Sequence, residues 1–287
     1  MAEQAPPRID GLLPPEIAQK AEDVGVTKAT MSETAMFLLA VLAGAFIAMG
    51  AVFYVTVTTG AADLPFGLGK LLGGLVFCLG LILVVIAGAE LFTGNNLLVM
   101  AWVGGRVSTG LLFKNWIIVY AGNFVGSVAT ALIMFSTEQH MAAGGQLGLN
   151  ALNIAHAKCQ LEFIPALTRG IYCNALVCLA VWLTMSCRST GDKILAILFP
   201  ITAFVAAGFE HSVANMYFVP IGLFLVQIPA PEFWGAIGMS PADFPYLSWY
   251  NFVIVNLLPV TLGNIIGGGI FVGAFYWFVY CRRHPVV

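Results

Sequence analysis

Six stretches of this chain are long, apolar and nearly free of charge, and a stretch of that kind has few ways to fold. Residues 35–57, 71–103, 115–136, 163–187, 194–228 and 252–281 hold Glu90, Arg169, Glu210 and His211 as their only charged or histidine residues. About 20 apolar residues in a helix cross a hydrocarbon core of roughly 30 Å. The pattern predicts an all-α membrane protein with six transmembrane helices. Composition agrees: 60% of the 287 residues are hydrophobic and 9% charged, against roughly 25% charged in soluble domains. A soluble globule, a disordered chain and a coiled coil are thereby excluded. A net charge of -2 leaves no basic field for nucleic acid.

The connectors carry the charges and turn formers, notably the Gly-rich 142–149 and the Pro-rich 228–245. With six spans, Arg8, Lys20, Lys28, Arg106, Lys114, Arg188, Lys193, Arg282 and Arg283 fall on one side, and Lys70, Lys158 and Arg169 on the other. The positive-inside rule then puts both termini in the cytoplasm. Residues 1–30 lack the apolar core of a secretory signal and are expected to stay on that side. Ile9, Leu12, Leu13, Ile17 and Val24 among charges suit an amphipathic helix lying against the membrane face. This gives an N-terminal segment, 1–30, and a channel domain, 31–283. The six cysteines show neither CxxC nor Cys/His metal spacing and read as small buried hydrophobes; no metal or cofactor is expected.

Runs 71–103 and 194–228 are too long for one crossing. At about 1.5 Å per residue each would stretch to roughly 50 Å as a straight helix, more than tilt absorbs. Each is interrupted by polar residues, Gly88–Asn96 and Gly208–Met216, and both interruptions follow G-x-E-x-x-x-x-N. A second echo, G-N-x-x-G, recurs at Gly122–Gly126 and Gly263–Gly267. Two echoes in the same order indicate a duplicated three-span unit, about 31–137 and 160–283. Three being odd, the copies run oppositely across the membrane, the inverted 3+3 repeat of transporters and channels with broken helices 2 and 5. Non-helical backbone at this depth is tolerated where it is buried in protein or lines a wet cavity, so a pathway is expected between the breaks. The repeated glycines also suit close helix packing.

Ionisable groups inside such runs are functional candidates. Glu210 is matched by Glu90 and suits scaffolding, as a carboxylate that holds loop N–H groups or pairs with a cation. His211 is matched by Leu91, so the duplication singles out the imidazole, which is either part of the passage or a satisfied core group. A bare anion in an apolar constriction faces a cost of tens of kcal/mol. Half-helices after the breaks aim their positive ends inward, and Thr93, Asn174 and Asn264 are neutral groups that can fix the imidazole or the solute. These signs favour a small anion or its conjugate acid. On one reading His211 passes a proton to a weak-acid anion, which crosses as neutral acid. On the blander one it is a hydrogen-bond donor only.

LLPPEIAQKAEDVGVTKAT, TTGAADLPFGLGKLLGG, AELFTGNN, KNWIIVYAGNFVG, GFEHSVANM and PVTLGNIIGGG, in this order, resemble the formate/nitrite transporter family, and its formate branch more than its nitrite branch. The resemblance spans nearly the whole chain. It implies an aquaporin-like fold, a homopentamer with one pore per protomer in the bacterial inner membrane, and formate as substrate. It also implies a mobile loop around Thr93 and a central trio of Thr93, His211 and Asn264, with Asn174 and Lys158 nearby; Lys158 would draw the anion in. An outer constriction is implied at Phe77, Val177 and Phe204, and an inner one at Leu81, Leu91 and Phe92; all six equally suit core packing. The N-terminal segment is implied in gating and in docking a formate-producing lyase. Nitrite or hydrosulfide is the alternative cargo. A water or glycerol pore lacks its paired Asn-Pro-Ala signature, and an enzyme lacks a nucleophile motif, metal cluster or cofactor box.

Overall fold

A computed structural model describes residues 11–228 and 230–282; Arg8, Ile9 and Arg283 lie outside the described residues. Eleven helices carry the architecture: α1 Pro14–Ala29, α2 Glu33–Thr58, α3 Phe66–Ala87, α4 Leu98–Val103, α5 Thr109–Ser136, α6 Gln146–Cys159, α7 Phe163–Ser186, α8 Thr190–Ala206, α9 Ser212–Gln227, α10 Pro231–Ile237 and α11 Asn251–Tyr280. No strand occurs among the described residues. Helices α2, α3, α5, α7 and α11 are each long and apolar enough to cross a bilayer. The remaining run, 194–228, is divided between α8 and α9, which meet at the second interruption.

The duplication is visible in the packing. In the first copy α2 lies against α5 and α3; in the second α7 lies against α11 and α8. Glycines bring these backbones together at matching places. A Cβ added at Gly126 would strike the Val41 carbonyl, and one at Gly267 the Ile171 carbonyl. Close approach of small residues replaces the hydrophobic drive that lipid removes. Within α11, Asn251–Leu257 and Ile266–Ala274 are π-helical, a winding that often marks functional positions, and here the two stretches flank Asn264.

The echo reaches further along the chain than three spans. Helix α1 packs on α4 as α6 packs on α9, so each copy opens with a short helix that seats against the half-helix after its break. Helix α1 buries Ile17, Ala18, Ala21 and Gly25, while Leu13 is 60% exposed. Its small-residue face is therefore fitted to protein. Lys20 Nζ donates to the Met185 carbonyl at 2.7 Å and Ser186 Oγ to the Leu12 carbonyl at 2.9 Å, fastening α1 to the end of α7.

Cys78, Cys159, Cys173 and Cys178 are buried, Cys187 and Cys281 half-buried, and all are free thiols.

Candidate functional site: two broken helices and the passage between them

The two breaks are built alike. Gly88 (φ 82°) and Gly208 (φ 71°) adopt the left-handed conformation that ends a helix cheaply only without a Cβ. The chain closes each terminus with a bond back into the helix: Ala89 N–H to the Val84 carbonyl at 2.9 Å, Phe209 N–H to the Phe204 carbonyl at 3.0 Å. The glutamates then turn inward. Glu90 N–H donates to the Leu39 carbonyl (3.2 Å) and Glu210 N–H to the Arg169 carbonyl (3.4 Å).

A buried ionic cluster holds each break. Lys28 Nζ lies 2.6 Å from Glu90 Oε1; Asn95 Nδ2 donates to Glu90 Oε2 (2.7 Å) and to Asn115 Oδ1 (3.0 Å). In the second copy Lys158 Nζ lies 2.9 and 3.0 Å from the two Glu210 oxygens, and Asn215 Nδ2 donates to Glu210 Oε2 and Asn256 Oδ1, both at 2.7 Å. Asn115 and Asn256 close the loops by donating to the Lys28 and Lys158 carbonyls. The second copy departs at the lysine. Lys28 also reaches Asn95 Oδ1 (3.0 Å), whereas Lys158 gives both contacts to the carboxylate and Asn215 Oδ1 is left buried without a partner. The asparagines of G-N-x-x-G brace the same loops. Asn123 receives Phe92 N–H and donates to the Ala40 and Glu90 carbonyls; Asn264 receives Ser212 N–H and donates to the Gly170 and Glu210 carbonyls, all at 2.7–3.0 Å.

Between the breaks the copies differ. His211 Nε2 lies 2.9 Å from Thr93 Oγ1, and both side chains are buried. His211 caps α9, its Nδ1 receiving the Ala214 N–H at 3.0 Å. An acceptor at Nδ1 assigns the single ring proton to Nε2, so the neutral ring donates to Thr93 and leaves the threonine hydroxyl proton for another acceptor. Asn174 Nδ2 lies 2.7 Å from the Asn264 carbonyl, 2.8 Å from Asn96 Oδ1 and 3.2 Å from the Thr93 carbonyl. Cys178 Sγ also reaches the Thr93 carbonyl, at 3.3 Å. Asn174 and Asn264 thus hold backbone around the Thr93–His211 pair.

Two cavities approach this pair. One, of about 220 Å³, is lined by Lys70, Lys158, Arg169, Glu210, Phe77 and Phe204 and ends on His211. The other, of about 430 Å³, lies under α1 and is lined by Lys20, Lys28, Lys193, Glu90, Leu81 and Leu91. Phe77 and Phe204 meet edge to face at 5.8 Å, and Phe204 stacks on the His211 ring at 5.9 Å. Leu81 and Leu91 are both 2% exposed. Phe92 and Val177 line neither cavity; Phe92 packs edge-on against Trp116 and Tyr120. No three His, Cys, Asp or Glu side chains are grouped to hold a metal among the described residues.

Asn95, Asn215 and Asn123 stand in the two repeated motifs but were given no role from sequence, and Lys28, Asn115 and Asn256 were not singled out as site residues. A signal existed: Asn115 and Asn123 share the spacing of Asn256 and Asn264.

The sequence profile of a family described as formate/nitrite transporter matches residues 15–278. Over 275 residues the chain is 48% identical to the formate channel FocA of Escherichia coli strain K12, covering 96% of each. It is 46% identical to FocA of Haemophilus influenzae, covering 92% of this chain and 93% of that one. A solved pentameric formate channel with formate bound superposes with a TM-score of 0.83 at 48% identity, over 87% of this chain and 98% of that chain. An FNT family ion channel superposes at 0.75 and 29% identity, over 92% and 98%.

Proposed function

The chain belongs to the formate/nitrite transporter family, and from that premise we propose that it passes formate across a membrane through a pore centred on Thr93 and His211. The observation that carries the reading is the 2.9 Å contact between these two side chains, each from a different break, where the cavity under α6 ends. The relatives' descriptions as formate channels support the cargo.

The physical problem is desolvation. A monovalent anion leaving water for a wall of Phe77, Phe204, Leu81 and Leu91 needs donors or a proton. Lysines at both cavities draw it in, and the Thr93 hydroxyl proton, left free because His211 Nε2–H is donated to the threonine oxygen, replaces part of its lost water bonding. Proton delivery has a stated requirement here. The neutral ring holds one proton, and surrendering it would leave an imidazolate. Transfer therefore proceeds from a ring first charged at Nδ1, which displaces the Ala214 N–H; the imidazolium protonates formate and formic acid crosses uncharged. Asn174, Asn264, Glu210 and Lys158 act as positioning groups behind this step.

The positive-inside pattern supports an inner-membrane orientation with both termini cytoplasmic, which makes the cavity under α1 the cytoplasmic one. Likeness to a pentameric channel supports a homopentamer with one pore per protomer. Residues 1–30 form the cytoplasmic segment, with α1 as the docking face for a formate-producing lyase, and 31–283 the channel domain.

Uptake of labelled formate and nitrite by proteoliposomes across a pH series, for wild type, His211→Phe and His211→Asn, tests the proposal. His211→Phe should abolish the rise in formate uptake at acid pH. Identical rates for His211→Asn and wild type at every pH would overturn it, and preferential nitrite uptake would reassign the cargo.

A further inference from the structure

The two copies also differ at a residue that anchors each break. The carbonyl receiving Glu90 N–H belongs to Leu39, and the carbonyl receiving Glu210 N–H belongs to Arg169. The two residues hold the same station, in α2 and α7, and each lines the cavity of its own copy. A leucine therefore faces the cavity under α1, and a guanidinium faces the cavity under α6.

The cations around the α6-side cavity are not equally available. Lys158 is committed to both oxygens of Glu210 and sits 5.4 Å over the Phe218 ring. Lys70 sits over the Phe66 ring at 5.6 Å. The Arg169 side chain has no ion-pair or hydrogen-bond partner among the described residues, although it is exposed at the mouth of a cavity that ends on His211. On the other side Lys20 donates to a carbonyl, Lys28 is spent on Glu90, and Lys193 offers an ammonium. Among the described residues lining the two cavities, Arg169 is the only arginine. A guanidinium matches a planar anion with two oxygens through paired hydrogen bonds, a geometry an ammonium cannot supply.

We propose that Arg169 captures planar two-oxygen anions at the α6-side mouth, and so makes the two mouths unequal in apparent affinity. The inference rests on the small-anion reading above and adds to it a specificity residue and a direction.

The test is initial flux of labelled formate through oriented proteoliposomes, measured with substrate on either face, for wild type, Arg169→Leu and Arg169→Lys. Arg169→Leu installs the residue of the first copy. It should raise the half-saturation concentration for entry from the α6 face about three- to fivefold, the scale of one solvent-exposed charge contact, with a smaller change for entry from the α1 face. Arg169→Lys, which keeps the charge and loses the fork, should restore only part of the wild-type value, and least at high salt, where charge alone is screened; full restoration by lysine would overturn the role of the fork. An unchanged half-saturation in Arg169→Leu, or an equal rise from both faces, overturns the role of Arg169. Wild type passing no small anion overturns the parent reading, and this one with it.

Discussion

Removing Lys158 exposes how the second break is held. Its side chain is 15% exposed and that of Glu210 5%, so Lys158→Met strands a carboxylate away from water. Breaking a buried pair from one side costs about 3–5 kcal/mol. The Asn215 amide at 2.7 Å and the weaker Asn256 amide at 3.5 Å stay with the carboxylate in both proteins and cancel in the comparison. The expected loss is about 3–5 kcal/mol. Lys28 is 26% exposed and Glu90 7%, so water partly replaces the lysine there and Lys28→Met should cost less. Adding Glu210→Gln to Lys158→Met removes the stranded charge and should recover most of the loss, a non-additivity of about 1–3 kcal/mol. Reversible unfolding in mixed detergent micelles, by SDS titration, measures all five proteins: wild type, Lys158→Met, Lys28→Met, Glu210→Gln and the double variant. Additive single-variant costs, or Lys28→Met costing more than Lys158→Met, would refute the claim that burial of the pair sets the penalty.

Gly267→Ala should cut the yield of folded protein, because its Cβ meets the Ile171 carbonyl and overpacking costs about 1–3 kcal/mol; Gly110→Ala, whose Cβ meets only Ser108 Oγ at an unstrained 4.0 Å, serves as the matched control in the same gel-filtration assay. His140, in the connection between α5 and α6, stacks on Phe135 and meets Phe233 edge-on, both at 5.3 Å, with Nδ1 unpartnered, and burial lowers its pKa from 6.5. The folded state then prefers the neutral ring while the unfolded state takes the proton first, so this contribution is complete above pH 6.5 and is lost as pH falls toward the folded value. Thermal scans between pH 7 and pH 5 should show a decline that His140→Gln flattens, and equal slopes for the two proteins would count against it.

The spans, the breaks and the duplication were legible because each is local. Charge-free runs mark spans, and G-x-E-x-x-x-x-N packs a helix stop, an anchor carboxylate and its amide partner into one short segment. The partners of those anchors were not legible, because they come from elsewhere in the chain. Lys28 lies in a helix of ordinary polarity, where a lysine needs no explanation, and nothing local says that it turns toward Glu90. Asn115 and Asn256 sit in apolar runs like isolated polar residues, and only their shared spacing to Asn123 and Asn264 links them. Asn174 has a different obscurity. Its station in the first copy is Gly44, so repeat logic does not flag it, and its role follows from three carbonyl and amide oxygens converging on one nitrogen.

The duplication itself separates scaffold from passage. Where both copies keep a residue, as at Glu90 and Glu210, Asn95 and Asn215, Asn123 and Asn264, Lys28 and Lys158, the group is used to fold a loop back on its own copy, and each copy needs its own. Groups that serve the shared space between the copies have no such requirement, because one is enough. Thr93 stands where the second copy has Val213, and His211 where the first has Leu91; a second histidine in place of Leu91 would add a polar group to the constriction with no threonine opposite to receive it. An unpaired polar group in that position carries the full desolvation penalty. Repeat failure alone does not mark the passage, since Asn174 stands against Gly44 and holds backbone; what sets Thr93 and His211 apart is that two such failures, one from each break, meet in a single 2.9 Å contact.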